Sequence, residues 1–327
     1  MNPVPPTPTE VDEILELACR APSVHNTQPW SWRVAGGRVE LFADFRRQLV
    51  YADPSRRDLM LSCGAALHHL QVAAAGRGWA TRVRRLPDPG DERHVASVQL
   101  RSARGSSESA DLLRAIVDRR TDRRRLSSWP VPAERLNSLS SLGSVWGAQV
   151  LPVSGEPARE RLRRLTERAD AVQRGNQRYV AELAAWTGAS GVEGVPVANV
   201  PSRVGAETAD PVNRRFPGGA LADPEVDPGF AQDGMLLVCT SSDDAISRVR
   251  AGEALSAVWL HATRENLSVL PLSQAVEVDE TRRELQVDVL GDLAFPQILL
   301  RVGWLPTTRN DLDPTPRRPL EEVRVRS

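Results

Sequence analysis

The chain has 327 residues, of which 41% are hydrophobic and 26% charged, and its 42 basic side chains balance 42 acidic ones. This length and composition are typical of a globular protein with one large domain or two of ordinary size. A net charge of zero provides no overall field to attract nucleic acid or an anionic membrane, so neither is expected as a partner.

All the basic residues are arginines. Without lysine the chain cannot form a Schiff base, which excludes ordinary pyridoxal phosphate enzymes, and it cannot contain a Walker A phosphate loop. An anionic ligand must therefore be held by arginine, whose planar guanidinium binds phosphate oxygens in pairs. GC-rich coding is an alternative cause of this arginine usage, and it leaves the chemical exclusions unchanged.

The cysteines and histidines give no sign of a metal or hydrolytic centre. Cys19, Cys63 and Cys239 are isolated, which is typical of free thiols in a reducing compartment. His68 and His69 are adjacent, so they cannot share one helix face as metal ligands do. The N-terminus lacks the features of a signal peptide, and no apolar run approaches the ~18 residues of a membrane span. We expect a cytoplasmic protein without a bound metal.

The first hundred residues predict helices alternating with antiparallel strands. Thr9 is a candidate N-cap for a helix that ends before Pro22. Gly36-Gly37 between two alternating runs predicts a hairpin. A long helix is expected from Asp53 onward, and residues 95–100 form a further predicted strand.

Residues 21–30, with the sequence APSVHNTQPW, form the most informative segment and are called the 21–30 loop below. The segment breaks a helix and carries many hydrogen-bonding side chains, which suits a loop that holds a flat, polar ligand. Trp30 is expected to be core and Gln28 a strut for the loop. His25 could be catalytic or could bond the loop backbone, and we favour the backbone.

A small, polar linker at 102–109 divides the chain into two portions that share a pattern. Four residues of a predicted helix in the front portion recur in the rear portion at a single offset of 252 − 64 = 188 residues. Gly64, Ala66, Leu67 and Ala74 match Gly252, Ala254, Leu255 and Ala262. Duplication of one unit explains this match, and chance agreement of two helices is the alternative.

The rear portion contains an insertion at about 158–233. Residues 158–186 predict one long, arginine-rich amphipathic helix. Residues 187–233 are crowded with Gly and Pro, and a loop of that length is usually a lid or binding loop. A disordered surface excursion is the alternative. Residues 295–304 form an apolar run that predicts a central strand.

Two arginine-rich stretches are candidate anion sites. Arg119, Thr121 and Arg123 could converge on one oxyanion if the backbone leaves its helix there. A solvated basic run at a helix C-terminus is the alternative. Arg317 and Arg318 lie between prolines near the end of the chain and are ambiguous alone.

These stretches resemble motifs of the FMN-dependent nitroreductase superfamily. The 21–30 loop is similar to its Pro-Ser-x-x-Asn-x-Gln-Pro-Trp loop, and residues 119–123 to its Arg-Arg-Ser-x-Arg phosphate motif with Thr for Ser. Residues 271–274 occupy the place of the family's loop beside flavin N5. Residues 302–320 resemble its closing strand and basic pair.

The order of the motifs departs from an ordinary nitroreductase, because the loop lies in the front portion and the Arg-Arg-Thr element in the rear. Ordinary members are homodimers that build each flavin site from both subunits. The resemblance is therefore to the Acg-like branch, in which one chain folds as a pseudo-dimer. It implies an α+β fold of two related halves with mixed or antiparallel sheets, divided into residues 1–108 and 109–327.

The resemblance also implies a single composite FMN site. It assigns the phosphate to Arg119, Thr121, Arg317 and Arg318, and the N1–O2 edge of the flavin to Arg123. Ser23 and Asn26 would close over the ring or ribityl chain. Pro271 and the backbone of Ser273 and Gln274 would lie near the flavin N5.

The flavin N5 would carry the chemistry, so the resemblance implies no catalytic side chain. The expected activity is two-electron transfer from NAD(P)H or another donor to a nitroaromatic, a quinone or a pathway intermediate. Two alternatives remain: a flavin-sequestering protein with little turnover, and an oxygen-dependent dehydrogenase of a biosynthetic pathway. The unit would be a monomeric pseudo-dimer or a homodimer. FAD is not excluded, although no dinucleotide fingerprint is present.

Overall fold

The computed structural model describes residues 5–188, 191–202, 214–222, 233–306 and 312–325. These residues form two four-stranded sheets, each with neighbouring strands antiparallel. The first sheet, in the order β1-β2-β4-β3, contains β1 (Trp30–Ala35), β2 (Arg38–Ala43), β3 (Trp79–Arg85) and β4 (His94–Ser102). The second, in the order β5-β6-β8-β7, contains β5 (Gln149–Pro152), β6 (Gly234–Thr240), β7 (Ser268–Leu272) and β8 (Phe295–Gly303).

Ten α-helices of the described residues connect and cover the sheets. They are α1 (Pro8–Ala18), α2 (Arg57–Gly76), α3 (Ser107–Asp118), α4 (Ala133–Val145), α5 (Glu156–Gly175), α6 (Gln177–Ala185), α7 (Ala245–Arg264), α8 (Gln274–Glu277), α9 (Asp279–Asp288) and α10 (Leu320–Val323). None of them is both long and apolar enough to cross a bilayer.

The two sheets repeat one plan, as expected for an α+β fold of related halves. In each, a 20-residue helix, α2 or α7, joins the second strand to the third. Each sheet also shifts register at the same point, where the second strand pairs with the fourth. The shift falls after Leu41 in β2 and after Val238 in β6. A shared order of strands and a shared irregularity are difficult to explain by the chance agreement of two helices.

The halves meet where α2 packs against α7. A methyl group on Gly64 would lie 2.0 Å from the Val249 carbonyl oxygen, and one on Gly252 would lie 1.9 Å from the Leu61 carbonyl oxygen. These two glycines, which matched in the sequence repeat, therefore let the helix backbones approach each other closely. We call this contact the α2–α7 seam.

The seam behaves like the interface of a two-fold symmetric dimer, in which a residue meets its own equivalent. His68 Nδ1 lies 2.8 Å from the hydroxyl of Ser256, and these positions are 188 residues apart, the offset of the sequence repeat. Glu253 of α7 is fully buried and accepts hydrogen bonds from Arg85 at 2.6 and 2.8 Å and from Gln71 at 2.8 Å. Polar groups of the two halves thus satisfy one another inside the seam.

The C-terminal segment crosses back to the front half. The backbone N–H of Val325 donates to the Trp32 carbonyl at 2.7 Å, and Arg324 forms a parallel bridge with the same strand. The C-terminal segment therefore adds a parallel contact to the antiparallel front sheet. This crossing carries residues 312–325 to the 21–30 loop.

Several predicted elements are confirmed. The hairpin turns at Gly36 and Gly37, with φ of 58° and 72°, and Trp30 is fully buried. The strand predicted at 295–304 is β8, which lies between β6 and β7.

Two helix predictions are corrected. The N-cap of α1 is Thr7, because Thr7 and Glu10 form a reciprocal capping box that Thr9 and Asp12 do not. The single helix expected at 158–186 is instead α5 followed by α6. Asn176 leaves the helical conformation, and its Oδ1 accepts hydrogen bonds from the first N–H groups of α6.

Candidate functional site

The 21–30 loop is held in a strained conformation by its own side chains. His25, Asn26 and Gln28 have φ of 45°, 56° and 48°, in the left-handed region that is uncommon for residues with a side chain. The Ser23 hydroxyl accepts from the Gln28 N–H at 2.9 Å, and the Thr27 hydroxyl donates to the Val24 carbonyl at 2.9 Å. The polar composition of the loop thus fixes its backbone.

The loop contacts the C-terminal segment directly. The Asn26 side-chain amide donates to the Pro316 carbonyl at 3.2 Å, and the Gln28 Oε1 accepts from the Arg318 N–H at 2.9 Å. Gln28 is therefore a strut, as the sequence suggested, and it ties the front of the chain to the rear.

A cavity of about 460 Å³ opens beside this junction. Arg119, Thr121, Arg317 and Arg318, the four residues predicted to bind phosphate, all line it. Three further charged groups come from the ends of helices or the segments that follow them. These are Glu16 and Arg20 from the front half and Arg120 from the rear. With Glu321, the lining contains five arginines and two glutamates, so the cavity is cationic.

The arginines are held by carbonyl groups and an aromatic ring rather than by carboxylates. The Arg119 guanidinium lies 4.5 Å from the ring centroid of Trp259 and donates to the Arg20 carbonyl at 3.0 Å. Arg317 donates to the same carbonyl and to that of Ala21, each at 3.2 Å. Arg318 is the exception, since it forms an ion pair with Glu322 at 3.3 Å.

Burial and repulsion between neighbouring guanidiniums lower the pKa values of two arginines in this cluster. Burial, followed by the charge of Arg317, places the pKa of Arg119 well below its ordinary value. Burial and the neighbouring Arg20 lower the pKa of Arg317 to about 10. With a pKa of about 10, the Arg317 guanidinium remains charged at neutral pH. The buried Nε of Arg119 and of Arg317, and one terminal nitrogen of Arg318, have no hydrogen-bond partner among the described residues. The cavity can therefore bind an anion with several oxygens.

Arg123, predicted to bind the edge of the flavin, does not line the cationic cavity. Its guanidinium is 5.1 Å from the ring centroid of Phe216 and donates to the Asn199 carbonyl at 3.5 Å. The Asn199 side chain donates to the Thr315 hydroxyl at 3.3 Å, and Thr315 lines the cationic cavity. Burial lowers the pKa of Arg123 to about 10. A chain of contacts thus connects Arg123 to the cavity.

The predicted N5 loop lies at the end of β7. Pro271 is within that strand, opposite Leu300 of β8, and the Ser273 hydroxyl donates to Glu277 at 2.6 Å. The Gln274 side chain turns toward α5, where it donates to Gln173 at 3.1 Å. Only the backbone of Ser273 and Gln274 was expected to face a flavin, so these contacts leave that prediction open.

Residues of the insertion cover the 21–30 loop. The carbonyls of Val192 and Gly194 accept hydrogen bonds from Gln28 at 2.7 Å and Asn26 at 3.0 Å. Phe216 contacts the His25 ring edge-on at a centroid distance of 5.5 Å. The described part of 187–233 therefore covers the 21–30 loop, whereas none of its residues lines the cationic cavity. The rest of that prediction, at 189–190, 203–213 and 223–232, lies outside the described residues.

Sequence reasoning missed a buried group around Arg214. This guanidinium pairs with Glu277 and Tyr179 and donates to Ser273 at 3.2 Å. No periodicity marks Arg214 in the insertion, so the sequence contained no signal for it. Arg20, which adjoins the 21–30 loop, and Arg120, which lies within the recognised 119–123 motif, were also missed.

The expected role of His25 was wrong. Both ring nitrogens are buried without a hydrogen-bond partner among the described residues, so the imidazole does not bond the loop backbone. Within the same part of the chain, no three His, Cys, Asp or Glu side chains are grouped so as to hold a metal ion.

Comparison with known proteins identifies full-length relatives, whereas no protein-family model matches the chain. The Mycobacterium tuberculosis protein named "Putative NAD(P)H nitroreductase Rv3131" is 40% identical over 326 residues, covering 99% of this chain and 93% of that protein. "Putative NAD(P)H nitroreductase acg" from the same organism is 35% identical over 320 residues, covering 96% and 94%.

Two solved structures show a weaker similarity. The FMN-dependent nitroreductase NfnB from Mycobacterium smegmatis, in complex with NADPH, has a TM-score of 0.41 and 15% identity and covers 66% of this chain and 97% of its own. A nitroreductase with bound FMN from Desulfitobacterium hafniense has a TM-score of 0.41 and 13% identity, covering 65% and 95%. On the strength of the full-length relatives, the chain belongs to the nitroreductase family, in the branch that contains Rv3131 and acg.

Proposed function

We propose that this chain is an FMN-binding oxidoreductase that transfers two electrons from NAD(P)H to a small organic acceptor. The observation that carries the proposal is the cationic cavity, where four residues predicted from separate motifs line one space beside the 21–30 loop. The names of the full-length relatives, both NAD(P)H nitroreductases, support the donor and the reaction class.

The residues present suit a phosphomonoester. Such a group carries about −1.5 to −2 charge at neutral pH and three acceptor oxygens. The cavity has three more arginines than glutamates, and Arg318 is partly neutralised by Glu322 outside the lining. The unpartnered nitrogens of Arg119, Arg317 and Arg318 are donors that phosphate oxygens would satisfy. Arg119, Thr121, Arg317 and Arg318 would therefore hold the FMN phosphate.

Other residues would bind and tune the ring. Bound FMN would supply the two-electron chemistry at N5, so no protein acid, base or nucleophile is required. The Arg123 cation would stabilise negative charge on the reduced ring at the N1–O2 edge. Ser23 and Asn26 would close over the ring or ribityl chain, with the backbone of Ser273 and Gln274 near N5.

A second candidate function is storage of flavin with little turnover. It is favoured by the cover over the 21–30 loop, where Asn26 and Gln28 are bonded to segment 191–202 and are almost completely buried. Such a cover can gate access of nicotinamide or prevent it. An oxygen-dependent dehydrogenase is the remaining alternative from the sequence.

Anaerobic reduction of the purified flavoprotein tests these proposals. Bleaching of the flavin by NADH or NADPH, followed by turnover of a nitroaromatic or a quinone, is the expected result. Bound flavin that nicotinamides cannot reduce would replace the proposed function with storage or with the dehydrogenase. Reoxidation of chemically reduced protein by oxygen or by organic acceptors would then separate those two.

A further inference from the structure

His25 combines two unfavourable features in one residue. Its backbone is left-handed, with φ of 45° and ψ of 26°, and its side chain is buried, with 7% of the residue exposed. A strained backbone conformation persists only where the surrounding structure fixes it, and such residues cluster at ligand sites. In this loop the hydrogen bonds of Ser23 and Thr27 fix it.

The imidazole is unsatisfied as well as buried. A neutral imidazole has one donor and one acceptor, and neither ring nitrogen of His25 has a partner among the described residues. The adjacent Asn26 Oδ1 is also buried without a partner. Two neighbouring residues of the loop therefore present three unsatisfied polar atoms, which is costly unless a ligand completes them.

Other buried histidines of the chain are satisfied through at least one nitrogen. His68 bonds Ser256 at 2.8 Å, and His69 bonds the Ala65 carbonyl at 3.1 Å. A histidine with a purely structural role is expected to resemble these two. His25 does not, so packing alone gives no account of its polar atoms.

The surroundings of His25 keep it neutral and place it beside the site. Burial, followed by the nearby charge of Arg214, lowers the pKa of His25 to about 3, so the ring is neutral at pH 7. Its edge contacts Phe216, and Arg123 lies over that same aromatic ring. The electrostatic neighbours of His25 are Arg214, Glu277 and Arg123.

We propose that His25 is a cofactor-binding residue whose neutral imidazole hydrogen-bonds the polar edge of the isoalloxazine ring. The inference rests on the proposed FMN site. The imide edge of a flavin alternates carbonyl acceptors with one N–H donor. The imidazole N–H of His25 can donate to one of these carbonyls, and the unpartnered Asn26 Oδ1 can accept from the neighbouring flavin N–H.

The test compares the full-length apoprotein with its His25→Phe and His25→Gln variants. FMN affinity is measured by fluorescence titration, the visible spectrum of bound flavin is recorded, and the melting temperature of each apoprotein is determined. For His25→Phe we expect roughly tenfold weaker FMN binding, equivalent to one net hydrogen bond, and an altered flavin spectrum. His25→Gln retains a donor and an acceptor, so its FMN affinity should lie between those of the parent and of His25→Phe.

Stability separates ligand binding from a structural role. Because His25→Phe removes two unsatisfied buried nitrogens, the apoprotein should melt no lower than the parent. His94→Phe is the matched control, since His94 is bonded to Glu40 at 2.8 Å in the front sheet. It should lower the melting temperature and leave FMN affinity unchanged.

Two results would overturn the inference. One is unchanged FMN affinity and spectrum in His25→Phe, and the other is unchanged affinity with a lower melting temperature, which would make His25 structural. If His25→Phe does not fold, the same comparison is made with His25→Gln. A parent protein that binds no FMN would refute the proposed function itself, which is a distinguishable outcome.

Discussion

Arg119 illustrates how single residues of the site act against folding stability. Its guanidinium is buried among other cations, and the lowered pKa expresses both the loss of hydration and the repulsion from Arg317. Stacking on Trp259 and a bond to one carbonyl offset part of that cost. A dianion in the cavity would relieve the repulsion, so we expect a bound phosphate to stabilise the fold.

Replacing a cavity arginine should weaken FMN binding. A hydrogen bond to a charged group contributes about 1.5–3 kcal/mol, which corresponds to roughly 10- to 150-fold in affinity. We expect Arg119→Ala and Arg318→Ala each to raise the FMN dissociation constant within that range, measured by titration of the apoprotein with FMN.

Arg46 offers a control for the loss of an arginine as such. It is paired with Asp44 at 2.8 Å, its side chain is 88% exposed, and it does not line the cavity. Arg46→Ala should bind FMN like the parent. Unchanged affinity in both Arg119→Ala and Arg318→Ala would contradict the phosphate assignment.

The sequence allowed part of this residue-level picture to be predicted. Arg119, Thr121, Arg317 and Arg318 belong to local motifs, so resemblance located them without knowledge of the fold. Arg20 reaches the cavity because α1 ends beside the C-terminal segment, a contact between residues almost 300 positions apart. No local pattern encodes such a contact.

At the scale of elements, the close approach of α2 and α7 depends on two glycines. Gly64→Ala and Gly252→Ala would each insert a methyl within about 2 Å of a backbone carbonyl oxygen. Since backbone cannot move aside as a flexible side chain can, the helices must separate. Overpacking of this kind costs typically about 1–3 kcal/mol. We expect each variant to lower the free energy of unfolding by at least that amount in urea denaturation.

Gly105 provides the matched control for these variants. It lies in the exposed linker with ordinary φ, and a methyl there would meet nothing within 4 Å. Gly105→Ala should therefore leave the free energy of unfolding nearly unchanged. Equal stability of Gly64→Ala and Gly105→Ala would show that the seam tolerates wider spacing.

His68 makes the seam sensitive to acid. Burial lowers its pKa from 6.5 to about 3, so below pH 6.5 the unfolded chain gains a proton that the folded chain does not. The stability contributed by neutral His68 is complete above pH 6.5 and is lost progressively as pH falls toward 3. Between pH 7.5 and 5.5 this loss is about 1.4 kcal/mol.

The variant His68→Gln keeps a polar group opposite Ser256 and removes the titration. Its stability deficit relative to the parent should shrink by about 1.4 kcal/mol on going from pH 7.5 to 5.5 in urea denaturation. Ser256→Ala disrupts the same contact without removing the imidazole, so its deficit should be nearly constant. A constant deficit for His68→Gln as well would contradict a neutral, buried imidazole.

Elements with a strong local signal were predictable, and those decided by tertiary contacts were not. The hairpin at Gly36 and Gly37 follows from turn chemistry, and β8 from a run of mostly apolar residues. The division between α5 and α6 was missed because the amphipathic pattern continues across Asn176. Only the side-chain cap that Asn176 provides, at 3.0 Å from the Arg178 N–H, marks the new helix.

At the scale of the whole molecule, the site exists because the chain passes from the front half to the rear half and its C-terminal segment then returns to the front half. The front half contributes the 21–30 loop, and the rear half contributes Arg119, Thr121 and the C-terminal segment. That segment also adds a parallel bridge to β1 of the front sheet. The order of motifs in the sequence predicted this shared site, and the length of the aperiodic loop at 187–233 predicted a lid or binding loop. The contacts by which that loop covers the 21–30 loop could not be predicted from the sequence.

The predicted division of the chain into 1–108 and 109–327 remains a proposal, which the helix boundaries refine. The first residue of α3 is Ser107, and the Ser106 hydroxyl accepts from the Ser109 N–H at 3.1 Å as its N-cap. A cut at 108 would remove this cap from the helix. We therefore propose the boundary between Gly105 and Ser106.

Two separate polypeptides, 1–105 and 106–327, should reassemble when they are coexpressed. The α2–α7 seam buries Glu253 with its partner Arg85 on the opposite half, and neither fragment alone can satisfy these groups. We expect the fragments to copurify in equal amounts and to bind FMN, as measured by affinity purification of one tagged fragment and by flavin content. A front fragment carrying Gly64→Ala, whose seam is obstructed, should be recovered in much lower yield with its partner. Fragments that are each stable and monomeric when mixed would contradict a pseudo-dimer held together at this seam.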